Sequence, residues 1–391
     1  MAKIKNIRAY KILDSRGEWT IETEIFLDNG IISRASVPQG KSVGSFEAKS
    51  VLPDKAIESI EETLSPLIIG KNPEDQNEID DIMIQADNTP DKSRLGANSI
   101  LGISINCARA SALAQNIPLW KYLETKFNLS ANTNPRLFLN VINGGMHAGN
   151  NLKFQEYIII SKGENLTKSV GLGASIYQAV KKYLIKNLGK TASCLGDEGG
   201  FAPNFPDELA PFEILKKVID EEGLSDKFDL GMDAAASNVD VSSQELIKTY
   251  EEIKKKFNVL YLEDLFGEED FENFSKLKES IGNNTIIAGD DLTTTNIKRM
   301  KIAKEKESIN GIIIKPNQIG TLTETIQAIK LAKEWGWFVI VSHRSGETND
   351  DFIVDLALGT GADGLKIGSP ARGERIAKLN RILQIQRNEL N

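Results

Sequence analysis

The sequence predicts an α/β protein in which a (β/α)8-type barrel follows a smaller α+β domain, and three observations lead to this prediction. Six short apolar runs in the second half of the chain each end in a polar or charged residue, and their last residues lie 23 to 30 positions apart. Helical patterns, such as residues 243–257 and 321–335, separate these runs, and an apolar run followed by an amphipathic helix is typical of a βα unit. At 391 residues the chain is long enough for a barrel of about 250 residues and a second domain. The six predicted strands are Phe228–Asp233, Val259–Glu263, Thr285–Asp290, Gly311–Lys315, Trp337–His343 and Gly364–Lys366.

The first third of the chain predicts strands followed by helices. Residues 1 to about 33 alternate between apolar and polar side chains, as in Thr20–Leu27, and Asp28–Gly30 supplies a hairpin turn. The glycine-bearing segment Pro38–Gly44 is typical of an exposed loop. Residues 54–127 then follow a helical pattern. This order predicts an α+β domain.

The boundary between the two predicted domains falls in a polar linker. Residues 128–134 are polar and end at Pro135, and the apolar run Leu137–Ile142 follows as the first strand of the larger domain. We therefore expect residues 1–130 to form the α+β domain that carries the Pro38–Gly44 loop. Residues 135–391 are expected to form the barrel with the catalytic site.

Composition excludes several classes of protein. The 47 basic and 55 acidic residues give a net charge of −8, which argues against a general nucleic-acid surface. No apolar run approaches the roughly 18 residues that a membrane span requires. Cys107 and Cys194 have no metal-binding or redox spacing, which fits a reducing compartment. We therefore expect a cytoplasmic protein without a membrane span.

Three acids end consecutive predicted strands: Asp233, Glu263 and Asp290. Because the carboxyl ends of parallel strands open onto one face of a barrel, these carboxylates should converge. Hard oxygen ligands of this kind suit Mg²⁺. Any one of these acids alone is better explained as a helix cap or a partner of a lysine. Three acids in register favour a metal site.

Lys315 and Lys366 end later strands and should face the same site. A lysine beside a divalent cation and a second ammonium group has its charged form disfavoured, so its pKa should fall far enough for it to act as a base. Lys315 would then remove a carbon-bound proton next to a carboxylate, and Lys366 would help to stabilise the negative charge that forms. The alternative is a pair of rim lysines that only extend toward solvent.

Histidines and two further acids lie in loops or at strand ends. His147 lies in the glycine-rich segment 143–150, and His343 precedes Arg344 and Ser345, whose donors could bind a phosphate. A lone histidine is more often structural, but the row of three at a strand end favours an anion site.

Glu156 and Glu198 are candidates for the acid that protonates a departing hydroxyl group. The alternative is that both are ordinary turn residues.

Together these segments resemble the enolase (phosphopyruvate hydratase) family over nearly the whole chain. The motifs that carry the resemblance are Leu13–Gly17, Leu95–Asn98, Asn143–Gly145 with His147–Gly149, Gly196–Pro203, Gly289–Leu292, Lys315–Thr321, Ser342–Thr348, Ala371–Arg372 and Glu374–Arg375. The resemblance implies the enolase-like variant of the barrel and a Mg²⁺-dependent, reversible dehydration of 2-phosphoglycerate to phosphoenolpyruvate, a step of glycolysis and gluconeogenesis. It also implies a homodimer or a higher homo-oligomer.

The resemblance further implies a role for each candidate residue. Asp233, Glu263 and Asp290 would hold one Mg²⁺, and Ser42 would meet a second that arrives with the substrate. Lys315 would be the base, Glu198 assisted by Glu156 the acid, and His343 a further catalytic residue. The substrate-binding residues would be His147, Gln155, Glu156, Lys315, Arg344, Ser345 and Lys366, with Lys366 facing the substrate carboxylate and Arg344 and Ser345 the phosphate.

The chain departs from the family in its first lid loop, the segment Pro38–Gly44. Gln39, Lys41 and Val43 replace a serine, an alanine and a threonine of the usual family sequence. Lid closure excludes water and completes a site, so these changes bear on rate and substrate choice. Gln384 stands where the family often has an arginine that pairs across the dimer, which weakens the expectation of a dimer.

Two alternatives to 2-phosphoglycerate dehydration therefore remain. One is the same chemistry on a related phospho- or phosphono-carboxylic acid, because the lid differs while the candidate proton-transfer residues are present. The other is an inactive relative kept as a binding or structural protein, although such relatives usually lose at least one catalytic residue.

Overall fold

The structure is a computed structural model that describes residues 1–41, 44–163 and 165–390. A three-stranded antiparallel sheet and five helices form the first domain. The strands are β1 (Ile4–Leu13), β2 (Trp19–Leu27) and β3 (Ile32–Ser36), and the helices are α1 (Pro53–Glu58), α2 (Ser65–Ile68), α3 (Gln76–Asp87), α4 (Ala97–Ala114) and α5 (Leu119–Phe127). The predicted hairpin is confirmed, because β2 pairs antiparallel with β3 on either side of residues 28–31.

The predicted helical region that begins near residue 54 contains an irregular turn. A π-helical turn, Ser59–Leu64, joins α1 to α2. Pro66 lacks the backbone N–H that a regular helix would bond to the carbonyl four residues earlier. The hydrogen-bond ladder therefore changes register ahead of the proline, which is a common origin of such turns.

Eight strands close the predicted barrel in the second domain. The strands are β4 (Arg136–Asn143), β5 (Glu156–Ser161), β6 (Phe228–Asp233), β7 (Tyr261–Glu263), β8 (Ile286–Gly289), β9 (Gly311–Ile314), β10 (Phe338–Ser342) and β11 (Gly364–Lys366). The helices are α6 (Leu166–Leu188), α7 (Ala210–Glu221), α8 (Ser243–Phe257), α9 (Phe271–Ile281), α10 (Ile297–Glu305), α11 (Pro316–Ile319), α12 (Leu322–Glu334), α13 (Phe352–Gly359) and α14 (Gly373–Asn388). All six predicted strands are confirmed.

One strand breaks the expected rule that every carboxyl end opens onto the same face. β5 pairs antiparallel with both β4 and β6, whereas β6 to β11 and β4 are mutually parallel neighbours. A short hairpin connection suits an antiparallel pair, and only parallel strands need a helical crossover. As a result, the first residue of β5 lies at the rim where the other strands end.

The barrel interior is a packed apolar core. Its fully buried members are Phe138, Ile158, Ile160, Tyr261, Ala288, Ile313 and Ile340. A larger apolar layer lies between the strands and the surrounding helices. Within the described residues, no helix is both long enough and apolar enough to cross a membrane.

A buried polar cluster joins the two domains; we call Gln76, Asp80, Ser104 and Thr323 the interdomain joint. Asp80 of α3 accepts hydrogen bonds from the Thr323 backbone N–H (3.0 Å) and from its hydroxyl group (2.6 Å). The Ser104 hydroxyl of α4 accepts one from the backbone N–H of Leu322 (2.9 Å). These acceptors satisfy N–H groups in the first turn of α12, which lack partners within the helix. The first domain therefore fixes the start of a barrel helix.

Candidate active site

The described part of the chain forms a polar pocket at the barrel rim. Its lining contains most of the predicted site residues together with several that were not predicted. The lining residues are Gly40, His147, Gln155, Glu156, Glu198, Asp233, Ala235, Asp264, Asp290, Asp291, Lys315, Ser342, His343, Arg344, Ser345 and Lys366. Glu263 lies beneath this surface and is fully buried.

Strand register places three carboxylates around Lys366. Glu156, Asp233 and Glu263 are direct neighbours across β5, β6 and β7. The Lys366 ammonium lies 2.6 Å from Glu263 Oε2 and 3.3 Å from both Asp233 Oδ2 and Glu156 Oε2. Burial lowers the pKa of Lys366, but Glu156 and Glu263 raise it, and the net pKa lies well above its ordinary value. Lys366 is therefore charged, which suits its expected contact with the substrate carboxylate.

Asp290 follows β8 and contacts Lys315, which follows β9. The backbone N–H groups of Asp290 and Asp291 donate to the two oxygens of Asp264, each over 2.8 Å. The Gln318 amide donates to Asp290 Oδ1 over 2.8 Å. Asp264 thereby holds the start of the loop after β8 in place, because its two oxygens accept from two successive N–H groups of that loop. Asp290 is thereby directed into the pocket.

The expected lowering of the pKa of Lys315 depends on a neighbouring divalent cation and stays a prediction; the protein groups alone act differently. Burial lowers the pKa, but the adjacent Asp290 carboxylate raises it, and the net pKa lies above its ordinary value. The charged group in contact with Lys315 is the Asp290 carboxylate, and an anion stabilises the ammonium form.

The acids at the rim fit a hard divalent cation. Within the described residues, ligand atoms within 4.8 Å of one another form two groups: Asp264 with Asp290 and Asp291, and His147 with Glu156 and Glu198. Asp233, Glu263 and Asp290 do not form such a group, because the first two turn to Lys366 and the third turns to Lys315. These carboxylates nevertheless supply the oxygen donors that Mg²⁺ prefers.

Two further features of the acids support a cation site. The buried Oε1 of Glu263 has no hydrogen-bond partner among the described residues. Burial and Asp233 raise the pKa of Glu263 to about 7 against the opposing effect of Lys366, and burial and Asp290 raise that of Asp291 to about 7. Such crowding of carboxylates is relieved by a bound cation.

Glu156 and Glu198 share one proton-binding region. Both are buried, and their carboxylate oxygens lie within 4.8 Å of each other. Burial and the adjacent Glu198 raise the pKa of Glu156 well above its usual range. Burial also acts to raise the pKa of Glu198, whereas His343, His147, Arg375 and Lys366 act to lower it. Two buried carboxylates this close do not both ionise, so the pair retains one proton that the two groups share.

His147 and Asn140 hold Glu198 from two sides. His147 Nδ1 lies 3.6 Å from Glu198 Oε1, and the Asn140 amide donates to Glu198 Oε2 over 3.1 Å. The loop that carries His147 packs directly on the loop before Glu198, because a Cβ at Gly196 would lie 2.6 Å from the His147 carbonyl oxygen. Only glycine permits this approach. The glycines of both motifs therefore bring the two candidate residues together.

The candidate phosphate-binding residues already have partners in the protein. The Arg344 guanidinium forms a two-point contact with buried Glu47, at 2.9 and 3.0 Å, and donates to the Asn317 side chain over 3.0 Å. The Ser345 hydroxyl accepts a hydrogen bond from the Lys41 backbone N–H over 2.7 Å. Planar arginine–carboxylate pairing fixes the guanidinium orientation. Glu47 therefore positions Arg344 at the pocket wall.

The described part of the lid loop spans the mouth of the pocket. Gln39 exchanges backbone hydrogen bonds with Gly346, at 2.8 and 3.0 Å. The Lys41 ammonium donates to the Met146 carbonyl (2.8 Å) and pairs with Asp197 (2.9 Å). Ser42, the candidate ligand of a second Mg²⁺, and Val43 lie outside the described residues. Lys41, which replaces the usual alanine of the lid, thus contacts the two loops that carry Met146 and Asp197.

Several residues of the site were not predicted from sequence. Glu47 and Arg375 contact site residues that are far away in sequence; Glu47 lies in none of the motifs above, and Arg375 lies in one but had no assigned role. Asn140 could have been found, because it is the polar residue in the apolar run Leu137–Ile142. Asp264 and Asp291 each follow a predicted ligand directly, so a neighbouring acid was a further unused signal.

Both domains match models of the same protein family. The family "Enolase, N-terminal domain" matches residues 4–123, and "Enolase, C-terminal TIM barrel domain" matches residues 132–241 and 238–391. The chain is 40% identical over 421 residues to Enolase B of Dictyostelium discoideum, covering 98% of this chain and 94% of the relative. It is also 40% identical to an enolase of Methanopyrus kandleri, with 99% and 96% covered, and 41% identical to one of Ehrlichia chaffeensis, with 98% and 96% covered.

Proposed function

Because this chain belongs to the enolase family, we propose that it is a phosphopyruvate hydratase, a lyase that reversibly removes water from 2-phosphoglycerate to give phosphoenolpyruvate. The observation that carries this proposal is the placement of candidate base and acid. Lys315 follows β9 and Glu156 begins β5, and in the order of the closed barrel these strands are four apart in either direction. A proton acceptor and a proton donor thus lie on opposite walls of one pocket, as an elimination across a carbon–carbon bond requires.

Lys315 and the Glu156–Glu198 pair would carry the two proton transfers. Lys315 Nζ takes the proton from the second carbon of the substrate, and the electron pair of that bond moves onto the substrate carboxylate. These electrons then return from the carboxylate to form the carbon–carbon double bond as the bond to the hydroxyl oxygen breaks. Glu198 transfers the proton that it shares with Glu156, so the hydroxyl group leaves as water.

The remaining candidate residues would bind and orient the substrate. Lys366 faces the carboxylate, and Arg344 and Ser345 face the phosphate. His147 and Gln155 line the wall beside the acid pair. Their burial excludes water, which strengthens each electrostatic contact.

Asp233, Glu263 and Asp290 would hold Mg²⁺, and Ser42 is our candidate for a contact to a second ion that enters with the substrate. When bound, Mg²⁺ stabilises the negative charge that the substrate carboxylate gains and, by neutralising Asp290, favours the uncharged form of Lys315. The oxygen-only donor set and the unpartnered Glu263 Oε1 support this assignment.

Assembly, location and domain bounds extend the proposal. We propose a cytoplasmic, glycolytic homodimer that binds no nucleic acid, with domains at 1–130 and 135–391. Glu22, the family's partner for the missing arginine, instead accepts a hydrogen bond from Ser36 of the same chain over 2.9 Å. Gln384 is exposed. Because Gln384 replaces the arginine that would pair with Glu22 across the dimer, we propose a weaker dimer than is usual in the family.

A second candidate substrate is a related phospho- or phosphono-carboxylic acid. The contacts of Lys41 with Met146 and Asp197 favour it, because they place an extra cation at the pocket mouth. The shape and charge of the space above the phosphate-binding residues therefore differ from those of a lid with alanine at this position.

An assay of the purified protein with 2-phosphoglycerate and Mg²⁺ tests the proposal. We expect an ultraviolet-absorbing enol phosphate to form, EDTA to stop the reaction and added Mg²⁺ to restore it. Turnover of an analogue without turnover of 2-phosphoglycerate would establish the second candidate. Inertness toward all such acids would instead support a binding or structural role and would overturn both enzymatic proposals.

A further inference from the structure

We infer that Arg375 is a positioning residue that holds His343 as the neutral tautomer with its proton on Nε2. His343 then donates a hydrogen bond into the pocket and does not accept a proton there. The inference deepens the proposed function and rests on it, because it concerns a residue of the same pocket. It assigns a role to a buried arginine that the proposed reaction does not otherwise use.

The contacts of Arg375 determine which nitrogen of His343 can carry the proton. One terminal nitrogen of the guanidinium lies 2.6 Å from His343 Nδ1 and also donates to the Arg344 carbonyl over 2.7 Å. The other donates to the Ser345 carbonyl over 2.8 Å. A guanidinium has only donors, so Nδ1 must present its lone pair. A neutral imidazole has a single N–H, which then lies on Nε2.

Packing prevents the ring from turning away from Arg375. The His343 side chain is 2% exposed, and its backbone N–H donates to the Lys366 carbonyl over 3.0 Å. Gly368 adopts a φ of +75°, and a Cβ at this position would lie 3.0 Å from His343 Cε1 and 3.1 Å from Arg375 Cδ. Imidazole, arginine and glycine therefore form one close-packed unit behind the pocket wall.

The free edge of the ring faces the proposed acid pair. His343 Nε2 lies 3.7 Å from Glu198 Oε2. Cationic groups also act on the ring: Arg375 lies against Nδ1, and Lys366 and Lys315 disfavour a further positive charge. Burial, Arg375 and these lysines hold the pKa of His343 well below its usual range, although Glu198 acts in the opposite direction. A second proton on Nδ1 would meet an N–H of Arg375, so the geometry also disfavours the imidazolium form.

This arrangement has a consequence for the chemistry. With Nδ1 occupied by Arg375 and Nε2 already protonated, His343 has no site that can take a proton from the substrate. It can stabilise a carboxylate or a departing hydroxyl oxygen by donating a hydrogen bond. The proton acceptor therefore remains Lys315.

Nitrogen NMR of the full-length protein labelled with ¹⁵N-histidine tests the inference without any substrate. The chain has only two histidines, so the spectrum contains two imidazoles, and a His147→Gln variant assigns them. We expect long-range ¹H–¹⁵N correlations of His343 at neutral pH to show a protonated Nε2 and an unprotonated Nδ1. An Nδ1–H tautomer or an imidazolium would overturn the inference. Failure of the 2-phosphoglycerate assay would not change this spectrum, so the two failures are distinguishable.

Variants separate the positioning role from a merely structural one. We expect Arg375→Met to shift His343 away from the pure Nε2–H tautomer and to lower kcat by about 10- to 100-fold, by analogy with the loss of a hydrogen-bond partner that orients a metal-bound histidine. Arg375→Lys, which keeps a donor, should restore the tautomer. Arg381→Met is the control, because Arg381 lies on the same helix but pairs with Asp355 (2.6 Å) and Glu389 (2.8 Å).

The inference is overturned if Arg375→Met leaves the tautomer of His343 unchanged, or if Arg381→Met alters it equally. If Arg375→Met does not fold, the spectrum of the unmodified protein decides the matter.

Discussion

Two regions of this molecule bury charged side chains, and they do so in opposite ways. At the barrel rim, carboxylates and ammonium groups lie in direct contact, as between Lys366 and Glu263 at 2.6 Å. In the interdomain joint, Asp80 is fully buried, and its hydrogen-bond partners are the neutral groups of Thr323 and Gln76. The rim thus contains ion pairs whose members can exchange partners when substrate or a cation binds. The interdomain joint instead holds a single carboxyl group in place through hydrogen bonds. We expect changes at the rim to affect turnover and changes at the joint to affect stability.

The largest expected effect comes from the rim. Lys315→Ala should lower kcat for 2-phosphoglycerate by about three orders of magnitude or more, because it removes the proposed base. Steady-state kinetics measures the loss, and circular dichroism checks that the variant is folded. Lys330→Ala, which removes an exposed lysine of α12, is the matched control and should leave kcat unchanged. A Lys315→Ala enzyme within tenfold of the unmodified rate would remove the base from the mechanism.

A smaller effect, on stability alone, is expected at the joint. Burial raises the pKa of Asp80 to about 6 despite the hydrogen bonds from Thr323. The folded state therefore binds a proton that the unfolded chain has released, and stability is lost as pH rises from the unfolded value through about 6. The shift from 3.8 to about 6 corresponds to about 3 kcal/mol.

Asp80→Asn should abolish this part of the pH dependence. Urea unfolding at several pH values should show the unmodified chain losing about 2.4 kcal/mol relative to the variant between pH 4 and 7, while kcat stays the same. The neighbouring Asp81→Asn serves as the control, because its side chain is exposed. Parallel curves for Asp80→Asn and the unmodified protein would show that the joint carboxyl group does not titrate in this range.

The smallest effect is expected from the lid, where the charge pair is exposed. The Lys41 and Asp197 side chains are 40% and 31% exposed, and such pairs contribute at most about 1 kcal/mol. Restoring the usual family residues with Gln39→Ser, Lys41→Ala and Val43→Thr should change KM or kcat for 2-phosphoglycerate by less than about fivefold. Kinetics at low and high salt separates the charge effect from the others, because screening weakens only the ion pair. Unchanged constants under both conditions would mean that these substitutions are neutral.

The comparison between these regions also explains what could be predicted from sequence. The strands that carry Asp233, Glu263 and Asp290 were predictable, because a buried parallel strand has a strong local signal and the barrel imposes a common rim. The direction of β5 was not, because an apolar run gives no information on strand polarity. The sequence pattern made Glu156 one of two candidates for the acid, and the family resemblance implied that it assists Glu198.

Pairwise electrostatics was the least predictable part of the site. Position at the rim was correct for Lys315, but its pKa depends on whether the nearest group is Asp290 or a cation, and sequence spacing does not determine this. The same applies to Arg344 and His343, whose orientations depend on Glu47 and Arg375. Contacts between residues that distant in sequence leave no periodic pattern.

The reversed strand β5 has a consequence for how this pocket can change. Because β4 and β5 form a hairpin, residues 144–155 leave and re-enter the sheet at the same rim. This short connection carries the wall with His147 and Gln155, and it contains no helical crossover of the kind that links parallel strands. Exchanging this hairpin tip would therefore remodel one side of the cavity without replacing a helical crossover, as long as its close contact with the loop before Glu198 is kept.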